Sequence, residues 1–328
     1  EGAIQMAGLL WDVEPDPPRR RQNAAAAVAG AGEVPERWRR SLNSAIGMAR
    51  LPMRTGREVS AAIRQNIAGR LPGAVKPRKR PAAPATCLNQ DISADRALAF
   101  GSLPLDKIKA IKDAYGVTVN DVILAVVSGA VRGYLLDRGD LPSESLRTSI
   151  AVSLRTEDDD DFSNRVTVVS VTLGTHLADP LARLQAIAEE SALAKEEAHR
   201  GNKGVLEFME LFPPLVINAL ARMAPAEQVP RLMGVNLVVS NIRGSDQPMY
   251  VGGARAEQIY PMSIITPGGG LNVTCLSYTG GIHFGFTVEP QMIPDPWLLV
   301  EGLHNSLGEY AKLAEKGGRR RKKTPRRR

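Results

Sequence analysis

The chain has 328 residues, 43% of them apolar and 23% charged, with few aromatic residues and a formal charge of +7. That is the composition of a globular protein of one large or two ordinary domains, and it does not suit a carbohydrate binder. The charge is concentrated: residues 317–328 hold eight Lys or Arg and no acid, and without them 34 of the 42 basic residues remain against 35 acidic ones. The body is therefore near neutral and is not a basic nucleic-acid platform, while the tail is expected to be disordered by like-charge repulsion.

In chain order, residues 1–16 read as the end of a helix stopped by Pro15, Pro17 and Pro18. Residues 35–71 read as helical, with Ile46, Met48, Val59, Ile63 and Ile67 supplying an intermittent apolar face. Residues 72–86 are Pro-rich and basic, which marks a linker, narrowed to 76–86, or an exposed loop. A strand is expected at 96–103 and a helix at 105–115, where Leu105, Ile108 and Ile111 share a face. The next helix starts at Thr118-Val119-Asn120-Asp121, and residues 122–136 are apolar almost all round, as in a buried helix.

Residues 148–154 and 166–173 are rich in β-branched residues and read as strands, separated by the acidic loop 157–161. Five consecutive acids lack the alternation and the Gly of a calcium loop, so a solvated loop is expected. Helices are expected at 180–199 and at 205–223, the second interrupted by Pro213-Pro214. This second helix, with Leu206, Phe208, Met209, Leu211 and Phe212, suits the core, the lining of an apolar tunnel or a membrane surface. Leu237-Val238-Val239 is a buried-type strand running into Ser240-Asn241 and a Gly turn. Two alternating strands follow, joined at Thr279-Gly280-Gly281, and a last helix spans about 296–314. Alternating strands and helices predict an α/β class, or α+β, with a mixed sheet.

Cys87 and Cys275 have no metal or redox spacing, and no apolar run reaches membrane-spanning length without a charge or Pro. The sequence begins at Glu1 without Met or signal-peptide pattern, which suggests a truncated or processed product.

Several segments together resemble the bacterial wax ester synthase/acyl-CoA:diacylglycerol acyltransferase family. They are Leu88-Asn89, Val119-Asn120-Asp121-Val122, Val152-Ser153-Leu154-Arg155, Asn164-Arg165-Val166, Ser240-Asn241 with Gly244, Gly253-Ala254-Arg255, Tyr260-Pro261 and Leu271-Asn272-Val273-Thr274. The likeness covers about residues 86–315. It implies a chloramphenicol acetyltransferase-like fold with a channel between two domains. Residues 1–75 would be the remnant of the N-terminal domain, 87–316 the C-terminal domain and 317–328 the tail. The implied chemistry is transfer of a fatty acyl group from acyl-CoA to diacylglycerol or a long-chain alcohol, without metal or other cofactor, by an enzyme in the cytoplasm on the periphery of an anionic membrane or a lipid droplet.

The chain departs from the family pattern at two places. The family turn carries Pro where Arg243 and Ser245 stand here, so the turn is less rigid. The family's His-His-x-x-x-Asp-Gly motif is absent, with Glu1-Gly2 as its degenerate last residues at most, and the histidine base is expected upstream of Glu1. This chain is then expected to be inactive alone. Other readings are a non-catalytic lipid- or membrane-binding remnant, or a nucleic-acid-associated protein acting through its tail, which lacks interleaved aromatics and carries no sign of a specific nucleic-acid partner.

Acyl transfer needs a base for the hydroxyl and donors for the oxyanion. The four histidines, His176, His199, His283 and His304, share no motif. His176 reads as a loop residue, His199 and His304 as polar helix positions, and His283 as facing either the surface or a channel. Thr118-x-x-Asp121 is a capping-box pattern, which accounts for Asp121 and leaves Asn120 free. The resemblance places Asn120 and Asp121 at the substrate site, and Ser240 and Asn241 along the channel. Turn chemistry is the other reading of Ser240-Asn241. Arg155 either pairs with Glu157 or Asp158 or reaches the Asp of the missing motif.

Overall fold

A computed structural model describes residues 13–14, 82–153, 166–199, 230 and 234–323. The expected helices at 1–16 (but for residues 13–14), 35–71 and 205–223, the linker up to residue 81, the acidic loop and Arg155 lie outside these residues.

Among the described residues the strands are β1 (Ala97–Pro104), β2 (Arg147–Ser153), β3 (Val166–Thr172), β4 (Leu237–Arg243), β5 (Tyr250–Val251), β6 (Ala254–Arg255), β7 (Leu271–Tyr278) and β8 (Gly281–Val288). The helices given bounds there are α1 (Leu105–Tyr115), α2 (Val119–Asp137), α3 (Pro180–His199) and α4 (Trp297–Lys323). Six strands form one sheet in the order β1-β8-β7-β4-β2-β3, and β5-β6 is a small separate hairpin. Strand β4 pairs parallel with both β7 and β2, while the outer pairs are antiparallel. The expected mixed α/β sheet is therefore found. Each parallel neighbour of β4 lies far from it in sequence or topology, so long connections are required, as parallel pairing demands.

The helices gather around α2, which packs on α1, α3 and α4. Val122, Ile123, Leu124, Ala125, Val126, Val127 and Val131 are all buried to completion. By length and composition alone α2 would span a bilayer, but two thirds of its apolar window is buried inside the protein. A continuous apolar helix here means a core helix, exposed only toward its C-terminal end, where Leu136 is solvent-facing. Gly302 makes the closest approach possible, because a Cβ there would stand 2.9 Å from Ala130 Cα. Helix α4 runs to Lys323, beyond the expected end near residue 314. Cations in a last helical turn are favoured by the helix dipole.

The β7–β8 hairpin closes through Thr279 and Gly280, both at positive φ (42° and 84°). A two-residue turn of that hand matches the twist of the strands. The Gly280 carbonyl accepts the Leu105 amide at 3.0 Å, which fixes the start of α1 against the turn.

The chain before β1 is anchored by a buried amide network. Asn89 is fully buried and donates from Nδ2 to the carbonyls of Asn236 (2.9 Å) and Gly268 (2.8 Å). Its Oδ1 accepts from the Thr86 amide, the Thr86 hydroxyl and Asn236 Nδ2. Asn236 Nδ2 also bonds the Pro84 carbonyl, and Ala83 is fully buried. The last residues of the expected linker are thus held against the domain instead of crossing solvent.

Candidate active site

Two groups of polar side chains stand on opposite faces of the sheet. Strand alternation and the β4–β7 register put Asn241 on the face of Val239, Val273 and Cys275, toward the helices, and Ser240 on the other face beside Thr274.

On the helix face, the start of α2 is a complete capping box. The Thr118 hydroxyl accepts the Asp121 amide at 3.2 Å, and Asp121 Oδ2 accepts the Thr118 amide at 2.9 Å. Asp121 is 3% exposed, and its Oδ1 has no partner among the described residues. Asn120, one residue earlier, is released from capping: its Oδ1 accepts from Asn241 Nδ2 at 3.4 Å. Asn241 Oδ1 in turn accepts from the Cys275 thiol at 3.4 Å. Burial pushes the Cys275 thiol well above its usual range, so this group is a protonated donor and not a thiolate. The two amides stand at the N-terminus of a long buried helix, where partial positive charge favours an anion or a developing oxyanion.

Of the substrate-site residues expected from sequence, Asn120, Asp121 and Asn241 come together. Ser240 does not join them. The expectation of a turn at Ser240-Asn241 also fails, because β4 continues to Arg243 and pairs with β7 as far as Ser277. Ladder pairing holds the polar pair extended and splits it between the two faces.

On the other face, His283 is 4% exposed, which removes the surface reading. Its Nδ1 lies 2.7 Å from Ser102 Oγ, and its Nε2 lies 3.3 Å from the Tyr278 carbonyl. A carbonyl only accepts, so Nε2 carries the proton and Nδ1 accepts from Ser102. Burial holds the imidazole pKa below its usual value, partly opposed by the Tyr278 carbonyl. The Tyr260 hydroxyl is 3.0 Å from Ser102 Oγ and 2.9 Å from Gln258 Oε1. The segment carrying Tyr260 lies across β8, since a Cβ on Gly285 would run into the Pro261 carbonyl. Ser102 was not singled out by the sequence; its only mark is that it alternates with Phe100 on one face of β1. His176 and His304 are exposed, and the side chain of His199 lies outside the described residues.

The WS/DGAT C-terminal domain matches residues 162–311, and the wax ester synthase/diacylglycerol acyltransferase catalytic domain matches residues 1–123. The O-acyltransferase WSD of Acinetobacter baylyi is 36% identical over 214 residues, which are 65% of this chain and 45% of that protein. A putative diacylglycerol O-acyltransferase of Mycobacterium tuberculosis is 38% identical over 237 residues, 69% of this chain and 50% of that protein. The chain thus spans about half the length of the curated relatives it matches. Among solved structures, the wax ester synthase/diacylglycerol acyltransferase from Marinobacter aquaeolei VT8 aligns with a TM-score of 0.62 at 26% identity, over 95% of this chain and 64% of its own. Asn120 lies near the end of one matched domain and Asn241 inside the other, so their contact joins the two matched regions. Together these matches show that the chain belongs to the wax ester synthase/diacylglycerol acyltransferase family.

Proposed function

We propose that this chain supplies the C-terminal part of an acyl-CoA-dependent O-acyltransferase that moves a fatty acyl group onto diacylglycerol or a long-chain alcohol. The observation that carries the reading is the Asn120–Asn241 amide pair at the N-terminus of the buried helix α2. Acyl transfer from a thioester passes through a tetrahedral oxyanion, and fixed amide donors beside a helix N-terminus stabilise such a charge. Asp121 keeps that terminus in place through the capping box and is a positioning residue. Metal and redox chemistry have no part in this scheme, and acyl-CoA enters as a co-substrate.

The hydroxyl of the acceptor needs a base. His283 is not that base, because it stands on the face of the sheet opposite Asn241. On this reading the base is the histidine motif of the family, which does not occur in these 328 residues. On the same reading the basic tail holds the enzyme to an anionic lipid surface in the cytoplasm, at about 1 kcal/mol for each cation near the surface.

The test is transfer from radiolabelled palmitoyl-CoA to hexadecanol or dioleoylglycerol. It is run with this chain alone and with the chain joined to a His-His-bearing N-terminal half. The joined protein is expected to be active and the chain alone silent. In the joined protein Asn120→Ala and Asn241→Ala each lower kcat about 100-fold or more at unchanged unfolding midpoint, on the scale of one lost oxyanion donor. Transfer by the chain alone, or full activity of both variants, refutes the assignment.

A further inference from the structure

A second reactive constellation lies away from the Asn120–Asn241 corner, on the other face of the sheet. Ser102 and His283 are direct cross-strand partners in the β1–β8 ladder. The ladder sets their separation, so the 2.7 Å contact between Ser102 Oγ and His283 Nδ1 rests on two strands and not on a loop. The Tyr278 carbonyl orients the ring and fixes the tautomer that leaves Nδ1 free to accept. A hydroxyl bonded to a neutral imidazole, itself oriented by a third group, is the arrangement of an activated serine nucleophile. The Tyr260 hydroxyl, which donates to Gln258 Oε1 at 2.9 Å, stands 3.0 Å from Ser102 Oγ and can turn its proton to an oxyanion growing next to that oxygen.

A serine that merely satisfied a buried histidine would need no approach from outside. Here an approach exists. Strand β1 is the edge of the sheet, and Leu98 and Phe100, on the same side of it as Ser102, are 50% and 43% exposed. Phe100 sits between the rings of Tyr260 (4.6 Å) and Trp297 (5.2 Å), and Tyr260 meets His283 edge-on at 5.5 Å. An unbroken aromatic row therefore leads from the exposed Trp297 to the imidazole. Such a surface accepts an alkyl chain and holds it beside a nucleophilic oxygen.

We propose that Ser102 and His283 form a second acyl-handling site, which hydrolyses esters or thioesters of apolar acids. Ser102 Oγ attacks the acyl carbon, and its proton passes to His283 Nδ1. The bond from the acyl carbon to the leaving oxygen or sulfur breaks, and the leaving group takes the proton from the imidazolium. Water then attacks the acyl-serine with His283 as base, giving the free acid and restoring the hydroxyl. The site uses none of the residues assigned to acyl transfer, so either reading can fail without the other.

The experiment treats the full 328-residue chain with a decyl fluorophosphonate, whose P–F bond breaks as Ser102 Oγ bonds phosphorus. It is read by intact mass and peptide mapping, alongside hydrolysis of p-nitrophenyl octanoate. One adduct is expected on the peptide carrying Ser102. Ser102→Ala abolishes it, and His283→Gln slows both labelling and hydrolysis about 100-fold or more, the usual span of a general base. Tyr260→Phe, which keeps the aromatic row, slows them roughly 10-fold. Folded wild-type protein without an adduct on Ser102 overturns the proposal, even if His283→Gln does not fold. So does Ser102→Ala protein that hydrolyses the octanoate at the wild-type rate.

Discussion

Replacing Asn89 with Ala tests whether the buried amide network holds the domain together ahead of β1. Asn89 is fully buried, and its side chain makes five hydrogen bonds: two donated to the Asn236 and Gly268 carbonyls and three accepted, from Thr86 (amide and hydroxyl) and Asn236. Truncation strips a partner from two carbonyls and one backbone amide, each worth about 1–3 kcal/mol when left buried. Asn236 Nδ2 keeps the Pro84 carbonyl, so it adds little. Water entering the vacated space recovers part of the loss, which leaves an expected destabilisation of about 3–5 kcal/mol. In a domain of this size that lowers the melting temperature by roughly 10 °C. The measurement is urea unfolding followed by circular dichroism, with midpoint and slope compared. Asn89→Asp adds a signature of its own. The carboxylate would face two carbonyls, so its folded pKa is raised above its unfolded value near about 4, and the loss is complete above the folded pKa. As pH falls from the folded pKa toward about 4 the neutral acid donates one of the two bonds and part of the stability returns, fully so below about 4. A loss under about 1 kcal/mol for Asn89→Ala, or no pH dependence specific to Asn89→Asp, refutes the reasoning.

Three further outcomes are expected. Thr279 is β-branched at φ 42° in the β7–β8 turn, and Thr279→Asn should stabilise by about 0.5–1 kcal/mol, seen as a higher urea midpoint at unchanged slope. Gly285→Ala drives a methyl group into the Pro261 carbonyl, lifts the Tyr260 segment from the sheet and costs about 1–3 kcal/mol; hydrogen exchange around residues 256–266 should quicken, and unchanged exchange there defeats the idea. His283 is held neutral by burial, so its folded pKa lies below its unfolded value near 6.5. The stability this contributes is fully present above pH 6.5 and drains away as pH falls through the folded pKa, and His283→Gln should flatten the unfolding free energy across that acidic window.

What the sequence discloses here depends on how far apart the cooperating residues are. The capping box at Thr118 and Asp121 is legible because its parts lie three residues apart and obey a local rule. The all-round apolar run of α2 likewise declares a buried helix. Ser240-Asn241 mislead because their residue types favour turns, whereas pairing with β7, some 34 residues on, keeps them extended. Alternation leaves His283 facing either the surface or a channel, and only the fold shows it covered by the rings of Tyr260 and Tyr278. Ser102 and His283 are 181 residues apart, and Asn89 and Asn236 are 147 apart. Neither pair leaves a local trace, although Asn89 and Tyr260 stand among the family segments. For Asn89 the structure supplies a purely architectural reason.

The topology also sets a timetable for synthesis. Helix α2 is completed at Asp137, but α4, which covers much of it, starts at Trp297, and β1 awaits β8 in the same way. At roughly 5–20 residues per second, this apolar helix keeps the side that α4 covers open at the ribosome for on the order of ten to thirty seconds. During that interval it has the length and hydropathy of a membrane anchor. Correct biogenesis of this domain is therefore a race between insertion or aggregation of α2 and the arrival of the chain's last helix, and truncation before residue 297 should turn a core helix into an adhesive one.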